Sequence, residues 1–118
     1  MKKMIRTSYF WKLQNGFIDK AQCISIALWN PKGVYIKQYS ALAPTKSILE
    51  EYKYHGEDWD VYVQRYKAEV LAKLDANKVA EELEGKILLC YEGKNNKKCH
   101  RHIVAEWLRS YGYDCEEL

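Results

Sequence analysis

An apolar run, a polar and basic loop and an amphipathic helical pattern follow one another near the end of the chain, and this succession constrains the fold most strongly. The run at residues 86–91 predicts a short buried strand, and the apolar residues of 103–111 recur at helical spacing. In an open α/β sheet, ligands bind where strands end and helices begin. The loop at residues 90–102 is therefore the predicted site of action.

The rest of the chain alternates between strand and helix patterns. Strands are predicted at residues 4–9 and 23–29, and residues 34–39 fit either a hairpin partner or an extended loop. Helices are predicted at residues 47–54, 58–74, 76–83 and 100–111, with Asp75 as a cap and Gly85 in the left-handed position after a helix end. This order predicts an α/β fold, with one domain over residues 1–118 and a small, mostly parallel sheet flanked by helices, as in Rossmann-like proteins.

Composition limits the class of protein. Hydrophobic residues at 47% and charged residues at 30% of 118 residues are typical of a soluble globular domain. A net charge of +3 is too small by itself to indicate a nucleic-acid binder. Ten Tyr and four Trp exceed what a core of this size needs, so some of the rings are predicted to line a groove or an interface. Because no apolar segment of signal-peptide or membrane length follows the N-terminus, we expect a cytoplasmic protein with no membrane partner.

Cys99 stands at the start of the last predicted helix and is the candidate nucleophile. The four cysteines lack the rhythm of a disulfide framework, so thiols are expected in a reducing compartment. Backbone N–H groups at the helix start, together with Lys97, Lys98 and Arg101, favour negative charge there. These features suit a thiolate or a bound anion. The simpler interpretation is a solvated lysine loop with Cys99 packed inward.

Candidate anion-binding residues come from the loop and from the first strand. Arg101 is the predicted bidentate donor to a phosphate or carboxylate, and Thr7 and Ser8 are expected on the opposite side of the site. Tyr66 falls in the apolar stripe of the long helix, where a tyrosine is more often part of the core. Its hydroxyl can alternatively reach the cleft.

The loop also contains candidate proton carriers. His100 can act as a general acid or base near neutral pH, or can be solvent-exposed. Glu92 can orient His100, hold Arg101 or act as a base, and its simpler role is an ion pair with a neighbouring cation. Cys90, Cys99 and His102 match no common zinc spacing, so no metal or other cofactor is expected. A phosphatase-type signature, in which an arginine follows a cysteine by six residues, is absent, because position 96, six residues after Cys90, is Asn.

The sequence resembles the domain-of-unknown-function 488 family, particularly its short bacterial and phage-type members. The resemblance is carried by Leu-Leu-Cys-Tyr-Glu at 88–92 and by Cys-His-Arg-His at 99–102 leading into Ile-Val-Ala-Glu-Trp-Leu. Thr-Ser-Tyr-Phe at 7–10, Tyr-Ser-Ala-Leu-Ala-Pro at 39–44 and the stretch from Tyr62 to Leu74 also fit, so the likeness covers nearly the whole chain. It implies a compact α/β fold and no particular reaction. The pocket that it implies is formed by Thr7, Ser8, Cys90, Glu92, Cys99, His100 and Arg101.

Three functions are compatible with these features. The leading prediction is binding of a small anionic ligand, phosphate-bearing or nucleotide-like, at the loop from Cys90 to Arg101, with Cys99 as the candidate reactive residue. The first alternative is a nucleic-acid-binding accessory protein, in which Lys94, Lys97, Lys98 and Arg101 meet phosphates beside exposed rings such as Tyr9, Trp11 or Tyr35. The second alternative is a structural or regulatory module without a ligand. The oligomeric state and the identity of the ligand stay open.

Overall fold

The fold is a parallel four-stranded sheet with helices on both faces, seen in a computed structural model that describes residues 4–93 and 98–118. The strands are β1 (Ile5–Tyr9), β2 (Cys23–Ser25), β3 (Ile87–Cys90) and β4 (Cys115–Glu117). Their order across the sheet is β2-β3-β1-β4, and every pairing is parallel. The predicted α/β class is therefore confirmed.

Five α-helices connect the strands within the described residues: α1 (Phe10–Gln14), α2 (Lys46–Tyr54), α3 (Trp59–Glu69), α4 (Ala76–Glu82) and α5 (His100–Ser110). Asp75 caps α4 by accepting a hydrogen bond from the Asn77 N–H, and Gly85 has a φ of 76°, both as predicted. None of the described helices has the length and apolarity needed to cross a bilayer.

Two predicted elements end several residues before the boundary that the sequence pattern indicated. The predicted helix at 58–74 ends at Glu69, and Leu71–Lys73 continues as a 3₁₀ turn in which the Leu74 N–H bonds to the Leu71 carbonyl. The predicted strand at 23–29 ends at Ser25, next to Leu89 near the end of β3. Residues 34–39 form no strand of their own; Gln38 makes only an isolated parallel bridge with Ser25.

Side chains of β3 alternate between the two faces of the sheet, as strand geometry requires. Leu88 and Cys90 belong to the larger buried cluster, which includes the apolar face of α5. Ile87 and Leu89 belong to a second cluster with Phe10. Cys90 therefore faces the side of the sheet on which α5 packs.

One α-helix and one strand of the described residues were not predicted from the sequence. The first is α1, which follows β1 directly. The second is β4, which pairs with β1 and places Cys115 beside Ile5 and Glu117 beside Thr7. The second omission matters for the site, because Glu117 turns out to be the partner of Arg101.

Candidate functional site

The carboxyl ends of β1 and β3 and the start of α5 meet at one edge of the sheet. Tyr9 at the end of β1 is aligned with Cys90 at the end of β3. Cys99 is the N-cap residue of α5, with extended backbone angles and no side-chain capping bond. The end of β3 and the start of α5 therefore lie at the same edge of the sheet.

Cys90 and Cys99 are joined by a disulfide in this structure, which corrects the expectation of free thiols at these positions. No pattern in the sequence indicated the pairing, because the two cysteines come close only when α5 packs on the face of the sheet to which Cys90 points. Cys23 and Cys115 are free and buried. Burial raises the pKa of each of these two thiols to about 11.

His100 is buried beside the cysteine pair, not exposed to solvent. Its Nε2 donates a hydrogen bond of 2.6 Å to the Ile26 carbonyl, because a carbonyl oxygen can only accept. Nδ1 therefore keeps its lone pair, and it lies 4.0 Å from the Cys99 Sγ. Burial lowers the pKa of His100 to about 4, with the Arg101 charge acting in the same direction and the Ile26 bond opposing both. The ring is neutral at pH 7.

Arg101 is fully buried, and acceptors of the protein itself surround its guanidinium. Nε and Nη2 donate to the Glu117 carboxylate at 2.9–3.1 Å. Nη1 donates to the Glu92 carbonyl at 2.6 Å and to the Cys90 Sγ at 3.3 Å. The anion that Arg101 meets in this structure is therefore an internal carboxylate.

Glu117 is held as a carboxylate by these bonds. Burial acts to raise the pKa of Glu117, but hydrogen bonds from Arg101 and Thr7 and the Arg101 charge outweigh burial, so the pKa lies below its ordinary value. Thr7 Oγ1 donates to Glu117 at 2.6 Å. Thr7, Arg101 and Glu117 form one polar cluster, which we call the Arg101 cluster.

Ser8 and Tyr66 also lie inside the fold. The Ser8 hydroxyl is buried and makes no hydrogen bond to the described residues. The Tyr66 hydroxyl donates a 2.5 Å bond to the Leu42 carbonyl, and its ring is fully buried in the larger core cluster. Tyr66 thus has the core role that its position in the apolar stripe suggested.

A pocket of about 370 Å³ opens above the carboxyl ends of β2 and β3. Of the predicted site residues, Cys90, Glu92, Cys99 and His100 line it, whereas Thr7, Ser8, Tyr66 and Arg101 are not among the lining residues. Lys98 also lines it; Lys94 and Lys97 lie outside the described residues.

Aromatic residues form much of the pocket wall, and the sequence did not identify which of its rings would do so. The predicted surplus of rings is found here: Trp29, Tyr52, Tyr54, Trp59, Tyr62 and Tyr91. Trp59 stacks on Tyr62 at 4.7 Å between ring centroids. Trp29 is 55% exposed at the pocket. A feature of the sequence that could have pointed to the pocket wall was Trp29, a large ring directly before the Asn-Pro turn.

These features define an α/β domain with a pocket at the carboxyl ends of its parallel strands. The family model DUF488-N3a, described as the active DUF488-N3 subclade, matches residues 18–112. The chain belongs to the DUF488 family. No curated protein and no solved structure matched it.

Proposed function

We propose that this protein binds a small anionic ligand with a planar ring, nucleotide-like in character, in the pocket next to Cys90, Cys99 and His100. The observation that carries the proposal is the pocket itself. Its volume of about 370 Å³ falls in the range of small-molecule sites. Its place at the carboxyl ends of parallel strands is where open α/β sheets bind ligands.

The aromatic wall supports a planar ligand. Large rings that are half-exposed at a concave surface offer flat faces for a ring to stack on. Trp29 has such a face, whereas Trp59 and Tyr62 already stack on each other. We assign Trp29 the role of stacking on the ligand.

The charged residues of the pocket determine where the anionic group binds. Arg101 does not line the pocket, whereas Lys53 and Lys98 do, so we assign recognition of the anion to these two lysines. Lys53 Nζ lies 5.5 Å from the centroid of the Tyr91 ring, at the pocket wall. Two carboxylates, Glu50 and Glu92, also line the pocket and can accept hydrogen bonds from donors of the ligand.

Cys99 and His100 are the proposed reactive residues once the disulfide is reduced. The Nδ1 lone pair of His100 lies 4.0 Å from the Cys99 sulfur and is the proposed acceptor of its proton, although burial, which lowers the pKa of His100 to about 4, makes the ring a weak base. The Ile26 carbonyl fixes the ring in that orientation. Glu92 lines the same pocket and is the proposed second proton carrier.

Replacing Trp29 with Ala is expected to weaken binding of a ribonucleoside monophosphate about tenfold, since one stacked base contributes roughly 1–3 kcal/mol. The measurement is a titration by calorimetry with each of the common monophosphates, and inorganic phosphate alone serves as the ligand without a ring. Trp11→Ala is the matched control, because Trp11 is 54% exposed and stacks on Phe17, away from the pocket lining.

The ligand proposal fails if no monophosphate binds the wild-type protein, or if Trp11→Ala weakens binding as much as Trp29→Ala. Absence of binding would favour the module without a ligand.

In the reduced protein, we expect iodoacetamide to alkylate Cys99 about tenfold faster than Cys23 or Cys115. All three residues are buried, but Cys99 lines the pocket, whereas burial raises the pKa values of Cys23 and Cys115 to about 11 and keeps these two thiols protonated. Peptide mass spectrometry over time measures the rates, and the denatured protein, in which all cysteines are accessible, is the control. Equal rates in the folded protein would remove Cys99 from the proposal.

A further inference from the structure

We propose that, after reduction of the disulfide, Cys90, Cys99 and His100 bind a thiophilic divalent metal ion such as Zn²⁺. The donor atoms of these three buried residues all lie within 4.8 Å of one another. Two thiolates and one imidazole are a ligand set that zinc prefers. This site goes beyond the proposed binding of an anionic ligand and does not depend on it, but it occupies the Cys99 sulfur and the His100 Nδ1, so an ion bound there excludes their proposed role as nucleophile and base.

The positions of the donors suit a tetrahedral ion. Zinc bonds of roughly 2.3 Å to sulfur and 2.0–2.1 Å to nitrogen place two sulfurs about 3.8 Å apart, and sulfur and nitrogen about 3.5 Å apart. The Cys99 Sγ and the His100 Nδ1 are already 4.0 Å apart. The two sulfurs must separate once the bond between them is broken, and His100 Nδ1 must approach both sulfurs, since the three donor atoms lie up to 4.8 Å apart.

The backbone leaves room for that separation. The Cα atoms of Cys90 and Cys99 are 7.2 Å apart. Disulfides usually join Cα atoms about 4.4–6.8 Å apart. The strand end and the helix start therefore hold the two cysteines at a spacing wide enough for an ion between their sulfurs.

Neighbouring groups already orient the donors in the way that metal sites require. Metal-binding histidines typically donate their second ring N–H to a carbonyl or carboxylate. His100 does so through Nε2 to the Ile26 carbonyl, which leaves Nδ1 for the ion. Arg101 Nη1 donates to the Cys90 Sγ, and such a bond stabilises negative charge on a thiolate. Glu117 balances the Arg101 charge, so two thiolates and a divalent ion leave the site neutral.

Three protein ligands leave one position of a tetrahedral ion open. Cys90, Cys99 and His100 all line the pocket, so the open position lies on the pocket side. Zinc sites with three protein ligands and an open position are typical of catalysis, whereas structural sites are closed by four. The sequence did not indicate this site, because one ligand comes from β3 and two come from the start of α5. The histidine of the cluster is His100, whereas the sequence analysis considered His102 as the third ligand.

Loading the site requires a balanced reduction. A phosphine breaks the bond between the two sulfurs, and each sulfur gains one electron and one proton while the phosphine takes the oxygen of water to become its oxide. Binding of the ion then releases both thiol protons to the buffer.

The test is a titration of the phosphine-reduced protein with Co²⁺, which reports sulfur ligation through thiolate-to-cobalt charge-transfer bands and tetrahedral geometry through its d–d bands. We expect both sets of bands at one cobalt per chain, and their loss on addition of Zn²⁺. The oxidised protein, with the disulfide intact, is the control and is expected to show neither.

Variants identify the ligands. Cys99→Ser is expected to weaken cobalt binding at least about 100-fold, since loss of a group that merely orients a ligand already costs about 10–100-fold. Cys23→Ser and Cys115→Ser are the matched controls and are expected to keep the bands, because both thiols are outside the cluster. Circular dichroism establishes that each variant is folded.

A second readout needs no variant: Zn²⁺ is expected to slow alkylation of Cys99 in the reduced wild-type protein. Absence of charge-transfer bands in that protein, or their persistence in Cys99→Ser, would overturn the metal site. Cobalt bands in a protein that binds no monophosphate would leave the metal site standing and remove only the proposed ligand.

Discussion

Replacing Arg101 with Lys is expected to lower the free energy of unfolding by about 3 kcal/mol, the cost of disrupting a buried ion pair. The guanidinium is fully buried and donates to four different residues at once, and a single ammonium group cannot reproduce that planar arrangement. The substitution keeps the charge, so it leaves a buried ammonium beside acceptors that it reaches only in part. Urea denaturation followed by circular dichroism measures the change.

Arg109→Lys is the matched control in the same helix. Arg109 is exposed and donates to the Cys115 carbonyl, so its replacement is expected to cost less than about 1 kcal/mol. If Arg101→Lys were as stable as the wild type, the Arg101 cluster would not stabilise the fold, and the hydrogen bonds that occupy the guanidinium would contribute no measurable stability.

Replacing Glu117 with Gln is expected to cost about 2 kcal/mol. Loss of one partner leaves a buried guanidinium without its counter-charge, which costs about 3–5 kcal/mol in a fully buried pair. The expected cost is smaller here, because the Glu117 side chain is 34% exposed and because the Glu92 and Gly93 carbonyls still accept from Arg101. Glu116→Gln, at the exposed neighbouring position, is the control and is expected to change stability by less than about 0.5 kcal/mol.

The pH dependence of the Glu117 contribution has a definite sign. The pKa of Glu117 is lower in the folded protein than in the unfolded chain, so the stabilisation is fully present above the unfolded pKa. It is lost as the pH falls through the folded pKa. The stability difference between the wild type and Glu117→Gln should therefore shrink between about pH 7 and about pH 3. A difference that stayed constant or grew over this interval would contradict the assigned pairing.

Local patterns predicted the central elements of the fold well. The run at Ile87–Cys90 is apolar on both faces and short, and such a run fits a buried strand of a parallel sheet. Helix α5 was predicted from its apolar spacing, and it begins at His100 as expected. Both elements rest on local periodicity, which a sequence shows directly.

The ends of strands and helices that are set by contacts with other parts of the fold could not be predicted from local periodicity. The apolar pattern of the second strand continues to Trp29, but β2 ends at Ser25, which pairs with Leu89 one residue before the end of β3, and the next residue, Ile26, still bonds to the Leu89 carbonyl. The stripe of the long helix likewise passes through Val70 and Leu71, which stay buried after the backbone tightens into a 3₁₀ turn. Apolar periodicity indicates which residues are buried, and buried residues continue past the ends of both elements.

The sequence indicated where the pocket lies but not which residues complete its surroundings. The sequence located the loop and named Cys90, Glu92, Cys99 and His100, which line the pocket. It could not assign Glu117 to Arg101, because the two lie 16 positions apart and only the pairing of β4 with β1 brings that carboxylate to the site. It could not choose the pocket rings for the same reason: Trp29 and Trp59 come from segments that meet only in the fold.

The most direct test of the proposed ligand site is a nuclear magnetic resonance titration of the isotope-labelled protein with ribonucleoside monophosphates. Binding in the pocket predicts that the largest amide shifts occur at Ala27, Trp29, Tyr91, Cys99 and His100, and that inorganic phosphate alone leaves Trp29 unchanged. Shifts confined to surfaces outside the pocket, or no shifts at any attainable concentration, would contradict the account.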